Sequence, residues 1–392
     1  MVSSRRPPLL FIYAVTITGI LSNALVSPAI PDILEDLGVD DSRAGLLVAF
    51  SSMPGIFVAP VIGVLADRFG RRAVLVPCLA IFGAFGLVVA AAPTFEVLLA
   101  ARLVQGVGSA GLINLAVVLI GDHWQGVERT RLVGRNAAML TVGLAVLPLV
   151  SGTLTQFVGW RAAMSIYAVG LVTAVVGWRV LDQSKPEVVD GFREQIRGGA
   201  TMIRRPVIAA TLVSGFFLFV GIFGLFLTNL PVHLEDEFGL EAGWRGAVIA
   251  SPAVMSTLAA FNLGRIRSRF GLRSILVASG MTFVIAFPLM GLAPSVAVVV
   301  LASSIYGLGE GLFIPTLQDV ATSAAPTEYR GAVVAIWVSA VRAGQTVGPL
   351  LVVGLAGVAS SSAIFVWGTV VAVIVLSIQI LGPIDDDAMA RA

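Results

Sequence analysis

The stretch Gly63-Val-Leu-Ala-Asp67-Arg68-Phe-Gly70-Arg71-Arg72 lies between two apolar runs that are each long enough to cross a bilayer. It combines three arginines and one aspartate with a glycine at its start and another before the last two arginines. A second stretch, from Gly264 to Arg273, repeats five of these residues at an offset of 201 positions. A charged hairpin that occurs once in each half of a membrane protein is typical of transporters built from internal repeats.

The composition around this hairpin is that of a membrane protein. Of the 392 residues, 57% are hydrophobic and only 12% are charged, whereas a soluble domain carries about 25% charged residues. An apolar stretch of about 20 residues spans a bilayer as a helix, and the chain has twelve such stretches. They lie near 9–31, 43–66, 73–92, 96–120, 132–157, 161–181, 206–231, 244–264, 274–292, 296–320, 331–357 and 362–382. The runs are too long and continuous for barrel strands, so the sequence predicts an all-α integral membrane protein with twelve transmembrane helices.

Basic residues are concentrated on one side of these predicted spans. The side that holds the N-terminus receives 20 of the 25 lysines and arginines. The other side receives Arg43, Arg161 and Arg245, while Arg102 and Arg342 fall inside spans. Because positive charge is retained in the cytoplasm, we expect a multi-pass protein of the inner (cytoplasmic) membrane with both termini in the cytoplasm. The net charge of +2 therefore does not indicate a nucleic-acid partner.

The repeat extends well beyond the hairpin. Gln105-Gly106-Val-Gly108 aligns with Tyr306-Gly307-Leu-Gly309, and Gly143-x-x-x-x-Pro148 aligns with Gly344-x-x-x-x-Pro349, again at an offset of 201. A constant offset predicts two parallel, pseudo-symmetric six-helix halves. We expect an N-terminal bundle over 1–181, a cytoplasmic linker over 182–205 with a short surface helix near 188–203, and a C-terminal bundle over 206–392 that ends in a short acidic tail. We expect the protein to be a monomer.

Other chemistries find little support in the sequence. Cys78 is the only cysteine, so there is no disulfide framework. His123 and His233 lie at span ends without other metal ligands, so we expect no metal and no cofactor. The chain has no Walker-type phosphate loop, which excludes ATP-driven pumping within it, and we expect no enzymatic activity.

The motifs together resemble those of the major facilitator superfamily over essentially the whole chain. The loop from Gly63 to Arg72 is similar to the superfamily signature between spans two and three, and Arg102-Leu-Val-Gln105-Gly106-Val-Gly108 is similar to its fourth-span motif. The stretch Gly143-x-x-x-Leu147-Pro148-x-x-Ser151-Gly152 resembles the fifth-span motif of the twelve-span drug:proton antiporter branch. It departs from that motif at Leu147 and Ser151, where the family favours glycine.

The resemblance implies that the first loop is a conformational latch. Its residues are Gly63, Asp67, Arg68, Gly70, Arg71 and Arg72. Its glycines would allow a tight turn and close helix approach, and Asp67 would sit at the N-terminus of the eleventh helix, where the helix dipole favours an anion. The latch would hold the outward-facing state. The alternative is a solvated, positive-inside loop, and the second copy has Ser268 in place of the aspartate.

Glycines and prolines in the fourth, fifth and eleventh spans are candidates for a hinge. They are Gly106, Gly143, Pro148, Gly344, Gly348 and Pro349. A proline removes one backbone N–H and bends a helix, whereas glycines let neighbouring helices approach closely. We expect these positions to tune gating rather than to touch substrate, and close packing is an equally good interpretation of each glycine.

Charged residues inside spans are expensive in lipid and therefore indicate function. Glu310 and Arg342 lie near the centres of spans ten and eleven, and Arg102 lies one to two turns into span four. We predict that Glu310 is the principal titrating group, with Tyr306 in hydrogen-bonding reach and Arg342 as its modulator. A structural Glu310–Arg342 ion pair is the alternative. Arg102 has a coupling or a structural role, and Asp32, which follows the first span, is either solvated or a second proton site.

The expected substrate cavity is mostly apolar. Its candidate residues are Asn23, Gln105, Asn114, Asn136, Phe219, Phe223, Tyr306 and Gln345. The phenylalanines belong to a stripe in span seven that either packs against a neighbour or lines the cavity. Polar side chains are few, which disfavours sugar-like substrates. The sequence thus predicts a proton-coupled exporter of small hydrophobic or amphiphilic molecules. A carrier for another metabolite, as importer or amphiphile flippase, and a non-transporting receptor or scaffold are the alternatives.

Overall fold

The computed structural model describes residues 6–182, 201–326 and 329–384, and in these ranges it contains twelve helices long and apolar enough to cross a membrane. The prediction of twelve spans is thus confirmed. We number them α1 to α12: Leu9–Asp36, Asp41–Phe69, Arg71–Ala90, Phe95–His123, Gly126–Val158, Trp160–Val180, Pro206–Phe238, Ala242–Arg267, Leu272–Gly291, Val296–Ser323, Gly331–Ala356 and Ser361–Leu381. Most of the predicted surface helix near 188–203, and the acidic tail, lie outside the described residues.

Helix α1 continues beyond the boundary that its prolines suggested. The sequence places its end near residue 31, but the helix runs to Asp36 with Pro28 and Pro31 in its interior. Prolines are tolerated inside membrane helices because neighbouring groups satisfy the freed backbone atoms. The consequence is that Asp32 belongs to a packed helix turn instead of a loop. Helix α7 likewise extends to Phe238.

Several helices are interrupted midway, and not at the predicted hinges. Helix α2 is broken between Ser52 and Gly55, α4 between Ser109 and Leu112, and α8 at Ser251. Helices α5 and α11, which carry Pro148 and Pro349, are continuous. In α7 the segment Gly221–Asn229 is a π-helix, an irregularity that often marks functional sites.

Each half has its own apolar core. In the N-terminal half, Phe82 of α3 meets Tyr167 of α6 edge to face, with ring centroids 5.6 Å apart. In the C-terminal half, the core is centred on Tyr306 of α10, whose ring stacks on Phe226 of α7 at 4.8 Å and also contacts Phe283 of α9. These rings join α3 to α6 in one half and α7, α9 and α10 in the other by burying large apolar surfaces.

The two halves close on each other at the end of the bundle remote from the termini, which we call the far end. A Cβ added at Gly246 of α8 would collide with the carbonyl of Pro148 in α5, and one added at Gly45 of α2 would collide with that of Pro349 in α11. Gly45 and Gly246 are the same position in the sequence repeat. The glycine of each repeat therefore packs against the proline-bearing helix of the other repeat, and no side chain separates the two halves there.

Candidate functional site

A buried arginine joins the two halves at the far end. Arg245 of α8 is 1% exposed and forms an ion pair with Asp32 of α1. Its Nε donates to the carbonyl of Pro28, 3.2 Å away, and its Nη1 lies 3.2 Å from the carboxylate of Glu235 in α7. One acid thus comes from each half. Of the partners of Arg245, only Asp32 and Pro28 belong to the other half. Separation of the halves therefore leaves Arg245 paired with Glu235.

This cluster corrects one sequence prediction: Asp32 is not a solvated rim residue, because it pairs with Arg245. Arg245, counted on the outer side at the start of a predicted span, lies inside α8 and is buried. A signal was present in the sequence: Arg245 directly precedes Gly246, which the repeat places at the position of Gly45. The proton role of Asp32 stays a prediction, whereas its place in the contact between halves is part of the structure.

We expect Asp32→Asn to favour opening of the far end. A hydrogen bond to a charged group contributes about 1.5–3 kcal/mol, so loss of the charge across the interface shifts the closed-to-open ratio about tenfold or more. Folding is retained because Arg245 keeps Glu235. Distances between spin labels on Thr94→Cys and Leu292→Cys, in a Cys78→Ser background, measure the separation of the halves.

Asp36→Asn is the matched control for this prediction. Asp36 also pairs with an arginine at the far end, but its partner Arg161 lies in the same half. Its loss should leave the label distances unchanged. Equal distance distributions in the Asp32→Asn and unsubstituted proteins would contradict the role of this ion pair as a gate.

Arg102 is fully buried and surrounded by neutral acceptors. Its exposed fraction is 0%. Its guanidinium donates to oxygens of four helices: the Leu47 carbonyl, the Ser22 carbonyl and hydroxyl, the side chains of Asn23, Ser51 and Gln105, and the Tyr167 hydroxyl, at 2.7–3.4 Å. Among the described residues no carboxylate pairs with it. The network connects α1, α2, α4 and α6, which agrees with a structural role for Arg102.

Arg342 reaches from α11 to the interrupted helices of the other half. Its Nη2 donates to the carbonyl of Ala110 in the break of α4, at 3.4 Å, and its side chain lies against Gly55 at the break of α2. Its Nη1 donates to Gln345 at 3.1 Å. The segment of α4 before its break ends at Ser109, next to the Ala110 carbonyl, and the negative end of a helix dipole attracts a cation. Backbone charge therefore supports this guanidinium.

Glu310, in the middle of α10, has no partner among the described residues. It is partly buried, and no described residue forms a hydrogen bond or ion pair with it in this conformation. The alternative of a structural Glu310–Arg342 ion pair is therefore wrong for this conformation. The expected hydrogen bond from Tyr306 is also absent, since the Tyr306 hydroxyl has no partner among the described residues. The carboxyl is left free to exchange a proton or to meet a ligand.

The candidate cavity residues do not form one group in this conformation. Gln105 is part of the Arg102 network, Asn136 accepts a 2.7 Å hydrogen bond from Thr16, and Tyr306 is buried inside the C-terminal half. These three do not line an open space here. The others are Asn23, Asn114, Phe219, Phe223 and Gln345, of which Asn114 is exposed, Gln345 is buried and the remaining three are partly buried. Phe223 packs against the cores of both halves.

The loop after α2 contains a local charge cluster. Gly70 adopts φ +93°, as a tight turn with glycine requires. Arg71 pairs with Asp67 at 2.5 Å and with Asp122 of α4 at 2.8 Å. In this conformation Asp67 is thus held within its own half. The close approach predicted at Gly63 is wrong here, since no described atom lies within 4 Å of a Cβ built there.

The remaining latch arginines lie against aromatic rings. The Arg72 guanidinium lies 4.0 Å from the ring centroid of Trp178, and that of Arg68 lies 5.6 Å from the ring of Phe69. The latch function itself stays a prediction, because the structure is closed at the far end and the latch is expected in the opposite conformation.

We expect Asp67→Asn to shift the population toward the conformation described here. A carboxylate at a helix N-terminus contributes about 0.3–1 kcal/mol when exposed and up to about 2 kcal/mol when partly buried, so the ratio of conformations should change several-fold. Spin labels at Arg131→Cys and Ser268→Cys, at the end that carries the termini, measure the change. Asp122→Asn is the control: an equal shift would assign the effect to the Arg71 cluster.

The candidate hinge glycines are sites of close packing. A Cβ at Gly106 would meet the carbonyl of Ser51, and one at Gly143 would meet Ile20. Gly344 and Gly348 leave the same kind of space for α7, against Phe216 and Val220. The packing interpretation of these glycines therefore accounts for what the structure contains, and hinge motion stays a prediction.

Comparison with known proteins gives a consistent result. The sequence profile of the Major Facilitator Superfamily matches residues 12–349 and 236–386. The chain is 25% identical over 344 residues to the bacillibactin exporter of Bacillus subtilis, covering 84% of this chain and 85% of that protein. It is 27% identical over 361 residues to the class C tetracycline resistance protein of Escherichia coli, covering 86% and 87%. A crystal structure of a POT family transporter in complex with 5-aminolevulinic acid is similar in fold, with a TM-score of 0.79, 15% identity and 96% of each chain covered.

Proposed function

Since this chain belongs to the major facilitator superfamily, we propose that it is a proton-coupled secondary transporter that exports small hydrophobic or amphiphilic compounds by alternating access. Membership makes it a membrane transporter of small molecules and not an enzyme. Proton coupling, export and the substrate class are the proposed part. We also propose that it works as a monomer in the inner membrane, with both termini in the cytoplasm and the far end outside the cell.

The observation that carries this proposal is the carboxyl of Glu310, which pairs with no described residue. A charged group at the bilayer centre costs about 2.5–3.5 kcal/mol even by the lower scale, and no described residue offsets this cost by pairing. A group that is neutral when protonated and charged when it releases the proton suits a carrier, because a proton must bind the two conformations differently in order to bias them. Arg342 could approach Glu310 in the other conformation and supply that difference.

The closed far end supports alternating access. The Asp32–Arg245 pair and the glycine contacts hold the halves together at one end, while Asp67 remains bound within its own half at the other. The two devices are at opposite ends of the molecule, so each would stabilise one of the two conformations. Partly buried Phe223, which packs against the cores of both halves, supplies apolar surface at their interface, which suits hydrophobic compounds.

Transport by purified protein tests the proposal. Proteoliposomes with an acidic lumen are given tetracycline and, separately, ethidium as a lipophilic cation. We expect accumulation of at least one probe, lost when an ionophore dissipates the pH gradient. Lack of movement of either probe in every gradient would contradict export of such compounds, and accumulation that ignores the pH gradient would contradict proton coupling.

A further inference from the structure

Polar groups step inward along α7 from the far end of the C-terminal half. Glu237, His233 and Asn229 follow one another at four-residue intervals, on one face of the helix. Ser362 of α12 donates to Glu237 at 2.8 Å and lies 3.5 Å from Nδ1 of His233. Asn229 donates to the carbonyl of Ser361 at 2.9 Å. These contacts connect an exposed acid to the interior across two helical turns.

A second row of polar groups continues along α10 to Glu310. Ser303 and Tyr306 are 0% and 1% exposed, and neither hydroxyl has a partner among the described residues. Ser303, Tyr306 and Glu310 are spaced three and four residues apart, so they share one face of α10. Glu310 is close enough to interact electrostatically with the Tyr306 hydroxyl without a hydrogen bond.

The two rows meet at the same depth. Phe226 of α7 stacks on Tyr306, and because the helices run in opposite directions, Asn229 and Ser303 both lie three residues toward the far end from this stack. A buried hydroxyl without a partner costs about 1–3 kcal/mol, and buried polar sites of this kind usually hold water. Water at Ser303 and Tyr306 would bridge the gap between Asn229 and Glu310.

We propose that these groups form a proton path from the far-end surface to Glu310, inside the C-terminal half and separate from the interface between the halves. The path rests on the proposed role of Glu310 as the titrating group. Its members are Glu237, Ser362, His233, Ser361, Asn229, Ser303, Tyr306 and Glu310. The protein contacts are interrupted at Ser303 and Tyr306 in the conformation closed at the far end, where a continuous path would let protons leak.

The π-helix provides a means of completing the path. Gly221–Asn229 carries both Phe226 and Asn229, and a π-helical turn can return to α-helical geometry by a local change of register. Such a change would move Asn229 and the stacked ring relative to Ser303.

The charged groups around His233 are Glu237 on its own helix and Asp236, which contacts Ser361. Among the described residues of α9, only the Met290 carbonyl reaches the imidazole.

Residue-resolved labelling by dicyclohexylcarbodiimide tests the path without a known substrate, because this hydrophobic reagent reacts with protonated carboxyls. Right-side-out membrane vesicles are stepped from pH 8 to about pH 6 on the outside only, and the labelling rate of Glu310 is followed by mass spectrometry. We expect the outside step to accelerate labelling. Ser303→Ala and Tyr306→Phe should each slow this response about tenfold, the effect of losing one hydrogen bond of the path.

Ser304→Ala is the matched control, since Ser304 is the neighbouring hydroxyl and bonds the carbonyl of Val300. It should respond like the unsubstituted protein. Acidifying the inside should label Glu310 equally in all variants, which verifies folding and reactivity. The path would be overturned if Tyr306→Phe and Ser303→Ala showed the same labelling response as Ser304→Ala. It would also be overturned if only Asp32→Asn, at the interface between the halves, changed that response. Failure of the proposed coupling role of Glu310 is detected in a separate experiment: the Glu310→Gln protein would then still accumulate the transported probe when only a proton gradient is supplied.

Discussion

Replacement of Glu310 by glutamine is expected to abolish proton-driven accumulation while leaving exchange of substrate intact. The amide has nearly the same size and can still donate and accept hydrogen bonds, but it cannot bind and release a proton. Without a titrating group at the bilayer centre, a pH gradient no longer biases the two conformations. The accumulation ratio of the transported probe, tetracycline or ethidium, should fall to one in proteoliposomes with an acidic lumen.

The same variant should keep its stability, which separates coupling from folding. No described residue pairs with Glu310, so the substitution leaves no partner unsatisfied and removes the cost of a charge in the membrane. Asp319→Asn is the matched control, since Asp319 is an exposed acid on the same helix, and it should transport normally. If Glu310→Gln still concentrates the probe when only a proton gradient is supplied, the coupling role belongs to another group, with Asp32 and Arg102 as the next candidates.

The second large effect is expected for Arg102→Met, which should destabilise the N-terminal half. The substitution leaves acceptors on α1, α2, α4 and α6 without their common donor. Each buried acceptor that loses its donor costs about 1–3 kcal/mol, so the loss of several should cost a few kcal/mol, and at about 2–4 °C per kcal/mol for a unit of 150–250 residues the melting temperature should fall about 10 °C. Thermal unfolding of the purified protein in detergent measures this.

Two further variants make the Arg102 prediction specific. Arg102→Lys keeps the charge but replaces five donors in a planar fork by three at one point, so we expect an intermediate loss of stability. Arg131→Met removes an exposed arginine of α5 and should change stability by no more than about 0.5 kcal/mol. A stable Arg102→Met protein that fails to transport would instead assign Arg102 to coupling, the other role that the sequence allowed.

The membrane topology could be derived from the sequence because the lipid imposes a local rule. Every backbone N–H and C=O inside the bilayer must bond within its own helix, so each apolar run specifies a span whatever its neighbours are. The offset of 201 residues is also visible in the sequence alone, and it places Gly45 and Gly246 at equivalent positions. The central position of Glu310 followed from counting along a single span.

The partners of the charged residues could not be derived in this way. Arg245 was counted on the outer side because it lies at the start of a span, yet it is buried and pairs with Asp32, 213 positions away. Glu310 and Arg342 were expected to be close because both lie at mid-membrane. Depth in the membrane, however, does not tell which face of its helix a residue occupies or which neighbouring helix that face contacts.

The amino-acid sequence by itself determined the twelve spans, their repeat and the presence of costly charges among them. Only the tertiary structure decided that Arg102 is satisfied by neutral oxygens, that Arg342 bonds the Ala110 carbonyl at the break of α4 and that no described residue pairs with Glu310. The physical reason is one of range. Hydropathy sums local transfer energies along the chain, whereas the partners of a buried charge depend on how helices distant in sequence pack in one particular conformation.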